Sequence, residues 1–246
     1  MGADEVYDTT FAADMTVMEE TAEFLRRMEA GGPFPMFTSC CPAWIRYMEH
    51  DVDLVLTTQE LIRMIKEAGI RFNELPDEAP DMPFGLGTGA GVIFGTTGGV
   101  AEAVARRVME SESKNTLQAI AYSGLRGTDG IRAAELTVGD KTVRIGVVDG
   151  LANAKRLITK MEAGEEHFDL VEVMTCTTGC VGGAGQPRGL TPQKQARAEG
   201  LYEADRGSLI KSSQANPILK TLYQKITTEE AHHLLHVHYP GEDAQA

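Results

Sequence analysis

The stretch from Phe168 to Gly189, FDLVEVMTCTTGCVGGAGQPRG, constrains this chain more than any other. Its first part, FDLVEVMTC, reads as a buried strand ending at Cys176, and the loop beyond carries Cys180 past five glycines. A strand that ends in such a loop suits an open α/β sheet, which places its sites at strand carboxyl ends. Three residues separate Cys176 from Cys180, so both thiolates can turn toward one centre while backbone amides approach it. A cluster, a zinc site or two buried thiols all fit that spacing.

The other two cysteines, Cys40 and Cys41, close a second strand-like run, PFPMFTSCC. Neighbours on an extended segment point to opposite sides, so the pair cannot easily ligate one metal together. One can ligate while the other does something else, and the bland reading is two small buried residues. Four cysteines in 246 residues are too few for a disulfide scaffold, which favours metal binding or redox chemistry. Soft thiolates among glycines favour iron–sulfur over magnesium or calcium.

The rest of the chain alternates strand and helix signals. GADEVYDTTFAAD suggests a short strand and turn; Thr16 with Glu19 forms a capping-box pattern for a helix reaching about Ala30, stopped by Gly31, Gly32 and Pro33. Asp51 to Leu56 alternates as a strand, and Thr57 with Glu60 caps a helix closed by Gly69. GLGTGAGVIFGTTGG leads into the helix VAEAVARRVMES, a glycine-rich turn onto a helix N-terminus. Gly139 and Asp140 sit between two alternating runs, a hairpin signal, and the helix LANAKRLITKMEA follows. From Thr191 onward the pattern is helical and polar. The expected fold is α/β, one interwoven unit with mixed or parallel sheets flanked by helices and a helical C-terminal appendage.

The formal net charge of −13 argues against nucleic acid or an anionic membrane as the main partner. No apolar run reaches the roughly 18 residues that a membrane helix needs, so a cytoplasmic protein without membrane insertion is expected.

TSCCPAW at 38–44 and EVMTCTTGCVGGAGQP at 172–187 resemble two of the three signature motifs of the iron-only (FeFe) hydrogenases. The resemblance extends through FAADMTVMEETAEF, DVDLVLTTQELIRMIKEAGI, TGAGVIFGTTGGVAEA and HHLLHVHYP, nearly the whole chain. It implies a hydrogenase H-cluster core over 1–190, shortened near 50/51, and a small-subunit-like segment over 191–246. It also implies a 4Fe-4S cubane sharing a cysteine sulfur with a diiron (2Fe) subcluster. Cys41, Cys176 and Cys180 would be cubane ligands, with Cys180 bridging, and Cys40 the terminal proton donor. Glu20 and Glu23, three apart on one helix face, would match the family's proton path; from sequence alone they read as a solvated acidic face. Met174, Phe94 and Gly95 would line the diiron pocket, where the bland reading is core and turn. A ferredoxin-like electron carrier or ferredoxin-domain subunit, and hydrogenase maturation proteins, are the implied partners.

The middle signature, a Met-Pro-Cys stretch followed by a lysine and a glutamate, does not occur: RYMEH at 46–50 runs directly into DVDLVLTT. By the resemblance, the fourth cubane ligand, the lysine contacting a diiron cyanide and a proton-path serine are expected to be missing, and no cysteine-rich ferredoxin-like domain is expected within these residues. A second reading follows, that of a non-catalytic hydrogenase-like cluster sensor or iron–sulfur assembly factor. A third takes GLGTGA at 85–90 as a dinucleotide loop, although DEAPDMPF before it is a poor strand.

Overall fold

The computed structural model describes residues 5–38, 57–109, 114–127, 130–183 and 185–235. Its first element is the 21-residue helix α1 (Thr10–Ala30). The helix starts earlier than expected because the Asp8 carboxylate accepts from the Thr10 N–H at 2.9 Å, anchoring the first turn there. Thr16 lies in mid-helix, its hydroxyl donating to the Ala12 carbonyl at 3.1 Å, and the described residues before α1 form no strand. Phe11, Val17 and Phe24 bury one face of α1, and the helix ends at Gly31 as expected.

After β1 (Met36–Thr38) the next described helix is α2 (Thr58–Glu67). Its capping box forms in full: the Thr57 hydroxyl accepts from the Glu60 N–H at 3.3 Å, and the Glu60 carboxylate accepts from the Thr57 N–H at 2.8 Å. The glycine-rich stretch then builds α3 (Gly89–Val92), a 3₁₀ turn at Ile93–Gly95 and α4 (Gly99–Val108). Turns, not a strand, precede residues 85–90, so the dinucleotide fingerprint lacks its structural setting and that reading is dropped. Helix α5 (Lys114–Ile120), absent from the sequence reading, continues into a wide turn over Ala121–Leu125.

The predicted hairpin is β2 (Ile131–Val138) and β3 (Lys141–Asp149), joined at Gly139 and Asp140. Helix α6 (Leu151–Glu162) crosses over to β4 (Leu170–Met174), and α7 (Thr191–Gly207), α8 (Pro217–Tyr223) and α9 (Thr228–Leu235) form the C-terminal segment. The four strands make one mixed sheet in the order β1-β4-β3-β2, with β1 and β3 parallel to β4 and β2 antiparallel to β3. The pleat sorts the strands between two cores. Ile145, Val147, Leu170 and Met174 join the cluster under α1 and α4, while Val148, Phe168 and Val171 pack with Ala154 and Leu157 of α6. Nine helices thus flank the sheet among the described residues, the α/β class that the alternating signals imply.

Two buried polar centres fasten the C-terminal helices to this body. The fully buried Asp14 of α1 accepts from the Thr88 N–H at 2.9 Å, the Ser213 hydroxyl at 2.7 Å and the Asn216 amide at 3.3 Å. Burial pushes its carboxyl pKa up, and these donors oppose the rise. Farther along, Arg106 of α4 pairs with Glu102 at 2.6 Å and with Asp205 of α7 at 2.7 Å. Arg126 closes the quartet on Glu102 at 2.7 Å, its guanidinium 4.1 Å from the Tyr202 ring centre. With two acids and two guanidinium groups, the buried charges balance.

Candidate metal centre

Cys176 and Cys180 lie in one loop at the carboxyl end of β4, Cys176 half-buried and Cys180 exposed. The chain turns tightly between them: the Gly179 N–H donates to the Cys176 carbonyl at 3.0 Å, and Cys180–Gly182 forms a 3₁₀ turn. Thr178 takes a left-handed φ of 72°, a costly conformation for a β-branched residue. Its N–H is held by Asp149 at the end of β3, donating to the two carboxylate oxygens at 3.0 and 2.8 Å. Burial raises the Asp149 pKa, opposed first by the Thr178 N–H and then by Arg132 and Lys194.

Glycine brings the loop against its neighbour. At Gly179, φ is +79°, and a Cβ would stand 2.7 Å from the Thr97 nitrogen and 2.9 Å from the Gly95 carbonyl oxygen. The cysteine loop therefore rests on the Phe94–Thr97 turn. A Cβ on Gly183 would lie 3.2 Å from the Cys180 carbonyl oxygen and 3.6 Å from the Cys176 sulfur, so this glycine packs directly against both cysteines.

The 94–99 turn is itself fastened to β4 by Glu172, which sequence reasoning passed over. Between Leu170 and Met174 its side chain falls on the core face, fully buried beneath the N-terminus of α4. There it accepts from the Gly98 and Ala101 N–H groups, each at 2.7 Å, satisfying two of the donors a helix start leaves open. Burial pushes its pKa up to about 7, while those donors and Arg132 pull down. A single acid inside the apolar run LVEVM was the available signal.

The remaining predicted site residues divide between core and surface. Met174 and Phe94 are buried in the main core, and Gly95 faces Leu201 of α7, where a Cβ would stand 2.6 Å from a Leu201 methyl. Glu20 and Glu23 are half-buried on α1 rather than fully solvated, and Glu23 is paired with Arg26 at 2.7 Å and Arg27 at 2.6 Å. Cys40 and Cys41, with the expected strand over 51–56, lie outside the described residues. The parallel pairing of Thr38 with Glu172 sends β1 toward the same sheet edge as β4, and Cys40 follows Thr38 by two positions in the sequence. Among the described residues no group of three or more metal-binding side chains forms.

The donor set here is two soft thiols in an open, glycine-lined loop over a mixed α/β sheet, an arrangement that fits part of an iron–sulfur cluster site. The described helices include none long and apolar enough to cross a membrane.

The family model described as iron-only hydrogenase large subunit, C-terminal domain, matches residues 1–51 and 48–184, and that for the iron hydrogenase small subunit matches 192–241. The chain belongs to the iron-only hydrogenase family. It is 35% identical to the NADP-reducing hydrogenase subunit HndD of Solidesulfovibrio fructosivorans over 97% of its own length and 54% of that protein's. A solved FeFe-hydrogenase, described for stepwise H-cluster assembly, superposes with a TM-score of 0.76 at 34% identity, covering 97% of this chain and 84% of that one. The cytosolic iron-sulfur assembly component 3 of Rattus norvegicus is 24% identical over 97% of this chain and 67% of its own. The chain thus spans about half the length of HndD. The large-subunit match falls into two pieces that overlap at 48–51.

Proposed function

We propose that this chain is an iron–sulfur oxidoreductase of the iron-only hydrogenase type, which reversibly reduces protons to hydrogen with electrons from a ferredoxin-like donor. The observation that carries the reading is the Cys176–Cys180 loop, gripped from below by Asp149 and seated on the turn that Glu172 holds. Two carboxylates on neighbouring strands thereby hold the loop that carries both cysteines and the turn beneath it.

Cys176 and Cys180, with Cys41, would hold a 4Fe-4S cubane, Cys180 serving as the bridge to a diiron subcluster beside Met174, Phe94 and Gly95. Bound there, the two groups supply electron storage and the hydrogen chemistry. The protein's part is positioning and proton supply. Cys40 would hold the proton at its Sγ, a thiol being able to donate and recover one. Glu23 and Glu20 would relay protons along one face of α1. In this reading the protein works in the cytoplasm with a ferredoxin-like carrier or ferredoxin-domain subunit, and hydrogenase maturation proteins deliver the diiron unit.

A second reading, a non-catalytic cluster sensor or iron–sulfur assembly factor, is favoured by the likeness to the assembly component and by the break at 48–51. Anaerobic reconstitution with iron and sulfide, then with matured diiron unit, separates the two. The enzyme should bind about four irons, rising to about six, and evolve hydrogen that Cys40→Ala abolishes. A stable cubane that accepts no diiron unit would assign the chain to the second class.

A further inference from the structure

The loop that carries Cys180 is also gripped from the side of the C-terminal segment. Arg197 of α7 donates from Nη1 to the Val181 carbonyl at 3.0 Å and from Nη2 to the Pro187 carbonyl at 2.8 Å. One planar guanidinium thus ties two points of the same loop, the first of them adjacent to Cys180, in a fork that a lysine cannot reproduce. Glycine makes room for it, since a Cβ on Gly189 would stand 3.4 Å from Arg197 Nη2.

Arg197 belongs to a stripe. Lys194, Arg197 and Leu201 are spaced by three and four residues, so they share one face of α7. A Cβ on Gly182 would lie 3.3 Å from Cδ of Lys194, the Lys194 charge acts on Asp149, and Leu201 rests on Gly95. The helix that reads in sequence as the start of a polar appendage therefore forms one wall of the cysteine site.

The charge on Arg197 distinguishes it from an ordinary brace. Arg206 of the same helix pairs with Glu199 at 2.6 Å, whereas the half-buried Arg197 turns to carbonyl oxygens and pairs with no carboxylate among the described residues. A partly desolvated cation without an anion is costly, and an anion placed beside it offsets that cost. The residue next to its Val181 partner is Cys180, and a cysteine binds metal as the thiolate.

We propose that Arg197 is a positioning residue of the cysteine site: it holds the Cys180 loop from α7 and leaves its charge unneutralised for the anion that Cys180 carries when it ligates a cluster. The effect on a cluster rests on the function proposed above, whereas the grip on the loop does not.

The test compares the full chain with Arg197→Gln and Arg197→Lys, each verified as folded by circular dichroism. In the protein without iron, hydrogen exchange reads the Gly182, Gly183 and Gln186 amides, which bond within the loop at 3.0 to 3.1 Å. Arg197→Gln should speed their exchange about tenfold or more while the β2–β3 hairpin amides stay as they were. Arg197→Lys keeps the cation but reaches one carbonyl at a time, and should recover part of the protection. After anaerobic reconstitution with iron and sulfide, Arg197→Gln should lower the midpoint potential of the cluster by about 59 mV, a tenfold change in a one-electron equilibrium, because a nearby cation favours the more negative reduced state. Arg197→Lys should hold the potential close to that of the native chain. Loop exchange unchanged in Arg197→Gln, or raised equally in the hairpin, would overturn the proposal, and so would a potential that does not move. Should the native chain assemble no cluster, that result counts against the hydrogenase reading, and the exchange measurement alone upholds or overturns the grip of Arg197.

Discussion

Replacing Glu172 by glutamine keeps the shape of the side chain and removes its charge. In the native chain the carboxyl sits fully buried with a pKa near 7, against an ordinary value of 4.5 in the unfolded chain. The folded state therefore holds this proton more tightly, and the stability it contributes is complete below pH 4.5 and lost as pH rises to about 7. That shift corresponds to about 3 kcal/mol between pH 4.5 and pH 8. The glutamine variant cannot titrate. It mimics the protonated acid but turns an NH₂ toward either the Gly98 or the Ala101 N–H, leaving one buried donor unpaired at a cost of about 1 to 3 kcal/mol. At pH 4.5 the variant should be the less stable chain by about that amount, and by pH 8 the two should be nearly equal. Urea unfolding of both proteins at five or six pH values reads the difference directly, with other carboxylates cancelling. A gap that stays constant across the range would falsify the assignment of a raised pKa and with it the claim that burial outweighs the helix-start donors.

Three further outcomes follow from the same geometry. Thr178→Gly removes a β-branched side chain from left-handed backbone while keeping the N–H that Asp149 holds, and should raise the unfolding free energy by about 1 kcal/mol, read as a Tm increase of about 2 to 4 °C. Gly179→Ala forces a methyl group against the Thr97 nitrogen, and should cost about 2 kcal/mol or more while lowering the iron bound per chain after reconstitution. Asp205→Ala leaves Arg106 buried with one partner fewer and should destabilise by about 3 to 5 kcal/mol in urea; pairing it with Arg126→Ala should give a strongly non-additive cycle.

The elements legible in the sequence were those with local causes. Thr57 and Glu60 stand three apart and cap α2 without help, Gly139 and Asp140 make a hairpin from adjacent residues, and the apolar run before Cys176 carries its own period. The start of α1 is hidden in the sequence because Thr16 and Glu19 mimic a capping box, whereas Asp8 supplies the anchor eight residues upstream. The elements that escaped are long-range. Asp205 meets Arg106 across 99 positions and Glu172 meets Gly98 across 74, and neither pair has any local pattern that marks the other partner. For the candidate site, the pair Cys176 and Cys180 could be read from spacing, while the two carboxylates that hold their loop and its support could be found only in three dimensions.

The ring of donors around Asp14 also sets an order of events during synthesis. Its partners sit at positions 88, 213 and 216, so a growing chain that has exposed α1 and even the whole cysteine loop has only the Thr88 donors for that carboxyl and lacks the Ser213 and Asn216 ones. The ring of donors around Asp14 is complete only once Asn216 has joined it. Residues about 200 positions apart thus act as a latch on one another, the later segment holding the α1 helix closed.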